Sequence, residues 1–270
     1  MRILFDIGHP AHVHFFKYII WDLEKNGHII KICVREREGI VKELLETYGF
    51  EYEELEDNTP GLFNKMFTMF KNDRKLLKIS KQFNPDLFVS VSSPYAAQVS
   101  WLTGKPSIAF TDTDTAKLIL SLTVPFTDAI ITPDVFTRDL GSKQIRIRSY
   151  KELAYLHPNW FKPDIAALEW LNLSKGDKYV LLRFSAFDAS HDIATSGLSI
   201  ENKLKLVDRL EKHAAVFVSS EIPLPGSLDK YSIKIPPHLM HDVLYHASLF
   251  IADSGTMVTE AAILGTPAII

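Results

Sequence analysis

The feature that most constrains the fold is an alternation running the length of the chain, in which short apolar stretches of strand character are followed by helical patterns. RILFDI (2–7) reads as a strand, a helical pattern follows to about Asn26 with Gly27 as its stop, and HIIKICV (28–34) reads as the next strand. That is a β-α-β unit. Further strands are expected at 86–91 (DLFVSV), 107–110 (SIAF), 128–132 (DAIIT) and 145–147 (IRI), with helices at about 38–48, 63–82 and 94–103. Strands alternating with helices imply a parallel sheet covered on both faces, the doubly wound α/β class.

The alternation lapses over YKELAYLHPNWFKP (150–163) and then resumes. The second series has helices near 164–171, 199–212, 237–247 and 256–264, and strands at 178–184, 214–219, 248–253 and 267–270. Two Rossmann-like domains facing a cleft are expected, 1–150 and 164–270, joined by a linker at 151–163. The second series breaks off in an apolar strand without a terminating helix, which predicts further residues of that domain beyond Ile270.

Composition narrows the classes of function. With 270 residues, 46% hydrophobic and 23% charged, the chain can bury a core for one large domain or two ordinary ones. A net charge of −3, with both signs interspersed, provides no global basic field and argues against nucleic acid as a partner, so an anionic ligand must be held by local geometry. The single cysteine, Cys33, excludes an internal disulfide framework and suits a reducing compartment. MRILFDIG reads as a strand rather than a secretory signal, so a cytoplasmic protein is expected. No run approaches the ~18 apolar residues of a spanning helix. GLFNKMFTMF (61–70) reads either as a helix face packed in the core or as a peripheral contact for a lipid or membrane surface.

Four stretches carry candidate chemistry, each at the carboxyl end of an expected strand, where open α/β sheets bind ligands. In DSGTMVTEAAILGTP (253–267), Ser254, Gly255 and Thr256 open a helix whose first-turn N–H groups suit a diphosphate. Glu260, about a turn further on, could accept hydrogen bonds from ribose hydroxyls; alternatively Ser254 caps the helix and Glu260 favours its dipole. GHPAHVHF (8–15) brings His9, His12 and His14 to one turn; His-x-x-His-x-His is not a firm zinc spacing, so the histidines read as proton carriers or as caps and packing groups. In LLRFSAFDASHD (181–192), Arg183 and His191 can flank the same phosphate site or lie on a solvated loop. TDTD (111–114) offers Asp112 and Asp114 as an acid/base pair or as turn residues.

Taken together, two Rossmann-like series with Ser-Gly-x-x-x-x-Glu-Ala-x-x-x-Gly-x-Pro at 254–267 and GHPAHVHF after the first strand resemble the GT-B glycosyltransferases and the related UDP-N-acetylglucosamine 2-epimerases. More narrowly, the chain resembles a family of archaeal and bacterial proteins of unestablished function described as predicted glycosyltransferases, over essentially its whole length. The resemblance implies that Ser254, Gly255 and Thr256 meet the diphosphate of a nucleotide sugar and Glu260 its ribose. Thr256 stands where the epimerases carry a second glycine. His12-Val13 matches the end of the Gly-Gly-His-Val turn that supplies a histidine in some inverting GT-B enzymes. SSP (92–94) stands where the epimerases place an aspartate, a departure that argues against epimerase chemistry.

The expected activity is transfer of a sugar from a nucleotide donor, a UDP-sugar by this resemblance, to an unknown acceptor hydroxyl, without cofactor or catalytic metal. His12, with His9 and His14 as its rivals in the same turn and Asp112 as a further acid/base candidate, is the expected base. Two other readings stand beside it: a non-hydrolysing sugar-nucleotide 2-epimerase or hydrolase, and a catalytically silent nucleotide-sugar-binding protein.

Overall fold

The computed structural model describes all residues except 36–38, 56–61, 185–197, 221–223, 225 and 254; in the helix that begins at Leu62, side chains are described from Thr68 onward. The chain divides into two compact units, Met1–Tyr155 and Leu156–Ile270. Each holds a parallel sheet with helices between its strands, so the fold is the mixed α/β class of the GT-B enzymes.

In the first unit the chain runs β1 (Arg2–Ile7), α1 (Pro10–Lys25), β2 (Ile29–Val34), α2 (Ile40–Thr47), β3 (Tyr52–Glu54), α3 (Leu62–Phe83), β4 (Leu87–Val91), α4 (Pro94–Thr103), β5 (Ser107–Phe110), α5 (Lys117–Thr123), β6 (Ala129–Pro133) and β7 (Gln144–Ile147). A short helix, α6 (Leu153–Leu156), ends it. The seven strands lie in the order β3-β2-β1-β4-β5-β6-β7, all parallel. β1 is an interior strand, and its alternation divides the core. Ile3, Phe5 and Ile7 pack with residues of α1 and α2, including Val13, Phe16, Ile20 and Leu44. Leu4 packs on the opposite face with Leu76 and Ile79 of α3 and Tyr95 and Val99 of α4.

Local chemistry sets the helix ends that matter for function. Pro10 occupies the first turn of α1, where its missing N–H costs nothing, and His9 caps it. α4 has the same plan: Ser93 Oγ accepts from Ala96 N at 3.3 Å, Pro94 follows, and Gly104 closes the helix at φ +64°.

The second unit continues with β8 (Tyr179–Phe184), α7 (Ile200–Leu210), β9 (Ala215–Ser220), α8 (Met240–His246), β10 (Leu249–Ala252), α9 (Gly255–Leu264) and β11 (Ala268–Ile269), in the parallel order β11-β10-β8-β9. Leu181 and Phe250 pack toward α8 and α9, whereas Leu182 and Phe184 pack toward α7. The turn-like stretch 165–171 forms a 3-10 helix where an α-helix is expected. Its Asp164 cap, with Oδ1 accepting from Ala166 N at 2.9 Å, tightens the first turn.

Candidate functional site

Each sheet has one place where the order of connection reverses, and there the loops part to leave a crevice. In the first unit it lies between β1 and β4, because the chain moves outward through β2 and β3 and then returns to the other side of β1. In the second it lies between β8 and β10, for the same reason.

The first crevice is floored by Asp6, buried near the end of β1 at 1% exposure. Arg35, just past β2, grips it with two hydrogen bonds, Nε to Oδ1 at 3.2 Å and Nη2 to Oδ2 at 2.9 Å. Ser93 Oγ also donates to Asp6, and the guanidinium lies over the Tyr95 ring, 4.2 Å from its centroid. Asp73 of α3 adjoins this group. Burial pushes its carboxyl up to about 6, with Arg35 opposing and Asp6 adding to the rise, and its Oδ1 meets no hydrogen-bond partner among the described residues.

Above this floor the β1–α1 turn separates the three histidines. His9 Nδ1 accepts from Ala11 N at 3.1 Å and so caps α1. His14 points into the core, stacked on Tyr155 at 5.7 Å with Tyr48 Oη 3.4 Å from its Nδ1. His12 lies between, its ring 5.7 Å from that of His9, with Nδ1 accepting from Gly8 N at 3.4 Å. Burial chiefly, then the charges of His9, Lys151 and Arg35, hold its pKa well below the ordinary histidine value. His12 is therefore neutral at pH 7, and the Gly8 contact leaves its proton on Nε2.

Asp112 and Asp114 part company. Asp112 accepts from Lys151 Nζ at 2.6 Å, whereas Asp114 accepts from Thr137 Oγ1. Lys151, which acts electrostatically on His12, is itself paired with Asp112, although it belongs to the stretch expected to be linker. Among the described residues no group of three His, Cys, Asp or Glu gathers as a metal cluster. Burial pushes the Cys33 thiol far above its ordinary range, which leaves it inert as a nucleophile.

The second crevice has a different chemistry. Ala252 of β10 pairs with Arg183 of β8, and α9 begins three residues further on at Gly255. Gly255 and Thr256 are exposed, and the first turn of α9 has no acidic residue. Among the described residues a Cβ added at Gly255 would meet nothing within 4 Å, so their packing does not require glycine there. Glu260 is buried at 4% exposure, its Oε1 3.3 Å from Nε2 of His241 on α8. That pairing explains how an otherwise apolar helix tolerates an inward acid. Gly265, at φ +85°, and Thr266, whose N–H donates to Ala261 O at 2.9 Å, end the helix. The Gly-x-Pro part of the motif is thus structural. Arg183 Nη1 donates to Ser219 Oγ at 2.6 Å on β9. Ser254 and His191 lie outside the described residues.

Sequence reasoning missed Asp6, Arg35, Asp73, Lys151 and His241. Asp6 offered a signal, as a lone acid at the end of the apolar strand RILFDI, and Arg35 offered another just past the next strand. Among the described residues no helix is long and apolar enough to cross a membrane.

The family model described as "Protein of unknown function (DUF354)" matches residues 1–270. An uncharacterized protein of Methanocaldococcus jannaschii is 23% identical over 283 residues, covering 100% of this chain and 81% of that protein. Among solved structures, the UDP-GlcNAc 2-epimerase of Neisseria meningitidis bound to UDP-GlcNAc superposes with a TM-score of 0.69 at 15% identity, covering 100% of this chain and 82% of the other. The UDP-GlcNAc 2-epimerase of M. jannaschii in complex with UDP-GlcNAc and UDP gives 0.66 at 16%, covering 99% and 83%. SsfS6, a glycosyltransferase of Streptomyces sp. SF2575, gives 0.60 at 15%, covering 99% and 80%. At these identities the likeness is one of fold.

Proposed function

We propose that this chain, which belongs to the DUF354 family, is a glycosyltransferase that holds a nucleotide sugar, a UDP-sugar by its relatives in fold, at the second crevice and passes the sugar to an acceptor hydroxyl. The observation that carries the reading is the start of α9: an exposed N-terminus without an acid in its first turn, at a strand-order reversal, opening on a glycine that packing does not require. Such an end stabilises a diphosphate through main-chain N–H groups. Glu260 lies one turn inside as the partner for ribose, and Arg183 and His191 are the side chains assigned to the phosphates. Ser254 and Thr256 are the further residues assigned to the diphosphate.

In the transfer, the acceptor oxygen bonds to the anomeric carbon as the bond from that carbon to the diphosphate breaks. The nucleoside diphosphate leaves with its charge on the α9 N-terminus. The acceptor's proton goes to His12, which is neutral and thus able to take it. To receive it at Nε2 the ring must carry its own proton on Nδ1 and turn from Gly8, a loss of one long hydrogen bond at 3.4 Å. His9 already caps α1, which leaves His12 as the stronger candidate. Lys151, paired with Asp112, is among the charges that set the field in which that proton moves.

A 2-epimerase is the second reading, because epimerases share this fold. It needs a carboxylate acting as base to take the proton from the sugar's second carbon. Here the turn after β4 supplies Ser93, engaged with Asp6 and with the cap of α4, and Asp112 and Asp114 diverge. Incubating the protein with UDP-N-acetylglucosamine in deuterated water separates the readings. Transferase chemistry leaves that carbon unlabelled and releases UDP when an acceptor is supplied from cell extract. Deuterium at that carbon makes the protein an epimerase, and a UDP-sugar bound without turnover makes it a binding protein.

A further inference from the structure

The two faces of the first sheet differ in charge. On one, α1 and α2 mix Lys17, Lys25 and Lys42 with Asp22, Glu24, Glu43 and Glu46. On the other, α3 exposes Lys71, Arg74, Lys75, Lys78 and Lys81. Its one acid, Asp73, buries its Oδ1 and senses Arg35 and Asp6. α4 has no charged residue at all, and α5 has only Lys117. Against a chain of net charge −3, this is a local positive field.

The same face is apolar where it lacks charge. Phe70 is 65% exposed, Trp101 62%, Leu102 60% and Leu118 69%. These residues sit on neighbouring helices. α3 packs on α4 through Leu76, Ile79 and Val99, and α4 meets α5 where Gln98 Nε2 donates to Leu122 O at 3.5 Å. Trp101 leans on Phe126, at 5.6 Å between centroids, just past α5. Large exposed side chains beside a lysine-rich helix have the composition of an interfacial surface, with apolar groups for the acyl boundary and cations for headgroups.

We propose that the α3–α4–α5 face of the first unit docks on an anionic phospholipid surface, with the α3 cations at the headgroups and Trp101, Leu102 and Leu118 in the interfacial layer. This holds independently of the chemistry assigned to the crevices. Charge selects the occupant. A second copy meeting the same face across a two-fold axis would bring the α3 lysines toward one another, which opposes association, whereas an anionic surface attracts each of them. A nucleic acid would engage the lysines and leave Trp101, Leu102 and Leu118 without a role.

The test is co-sedimentation of the full chain with vesicles of phosphatidylcholine alone and with phosphatidylglycerol added. Binding is expected to the anionic vesicles and to fall with added salt. Lys75→Gln and Lys78→Gln each lower the partition coefficient about fivefold, with melting temperatures unchanged because both side chains are exposed, and Trp101→Ser lowers it again. Equal binding to neutral vesicles, or none to either, overturns the proposal. So does a dimer in vesicle-free buffer that Trp101→Ser turns into monomer, or capture of an RNA homopolymer by protein that ignores vesicles.

Discussion

The crevices of the two units sit at equivalent points of their sheets yet are built from opposite materials. In the first, side chains carry the polarity and largely answer one another: Asp6 with Arg35 and Ser93, Asp112 with Lys151, His9 with the start of α1. In the second, the first turn of α9 exposes main chain without an acid of its own, and Glu260 further along the helix is buried against His241. A pre-wired set of side chains fixes the protonation and position of a reacting group, whereas bare N–H groups suit a ligand that brings its own negative charge. The difference suits a division of labour, with proton chemistry in the first unit and donor binding in the second.

The largest expected effect lies on the chemical side. His12→Ala should lower turnover by roughly 10²–10⁴-fold while leaving donor affinity nearly unchanged. Steady-state rates set beside calorimetric UDP affinity check this, and near-normal turnover in folded protein removes His12 from the chemistry. Its pH profile sharpens the point. A base must be neutral, and His12 is held below its ordinary value, so the acid limb lies below pH about 6.5. Lys151→Met removes a cation that lowers this pKa, so the limb should move to higher pH.

Stability comes next. Arg35→Met strands Asp6, whose side chain is fully inaccessible, and should cost about 3–5 kcal/mol in denaturant unfolding. The double change Asp6→Leu with Arg35→Met should recover most of it, because two well-packed apolar groups need no partner. Equal instability of single and double variants contradicts the pairing as its cause.

A smaller effect belongs to the donor side. Glu260→Gln keeps the volume beside His241 but loses a charge-assisted bond to ribose, which should weaken UDP by about 1.5–3 kcal/mol in calorimetry. Unchanged affinity, with an unchanged melting temperature, takes Glu260 out of the ligand site and leaves it the structural partner of His241.

What the sequence revealed follows the range of the forces involved. β1, α4 and β5 were legible because their signals are local: an apolar run, or Ser-Pro at a helix start with Gly at its stop. β3, the edge strand Tyr52–Glu54, was not, because YEE is short and polar and becomes a strand only by pairing with β2. α5 was missed because KLILSLT is a seven-residue apolar run that periodicity cannot assign. The site divides in the same way. The glycine at the start of α9 and the histidine turn after β1 are contiguous in sequence, so they could be read. The Asp6–Arg35 pair, 29 residues apart, and the Lys151–Asp112 pair exist only once the sheet brings strand ends together. His12 was legible as a titratable group, but its tautomer depends on where the Gly8 N–H points, which no sequence pattern records.

Whether a diphosphate lies against the start of α9 is tested most directly by Gly255→Val. Among the described residues a side chain there meets nothing within 4 Å and the backbone is not in the left-handed region, so the fold should tolerate it and the melting temperature should hold. A β-branched side chain would nonetheless stand between the first-turn N–H groups and a phosphate. Calorimetric titration of the full chain with UDP should show affinity reduced by at least about tenfold, roughly 1.4 kcal/mol. Binding of UDP to the folded variant at the affinity of the unaltered protein contradicts the assignment of the diphosphate to this helix.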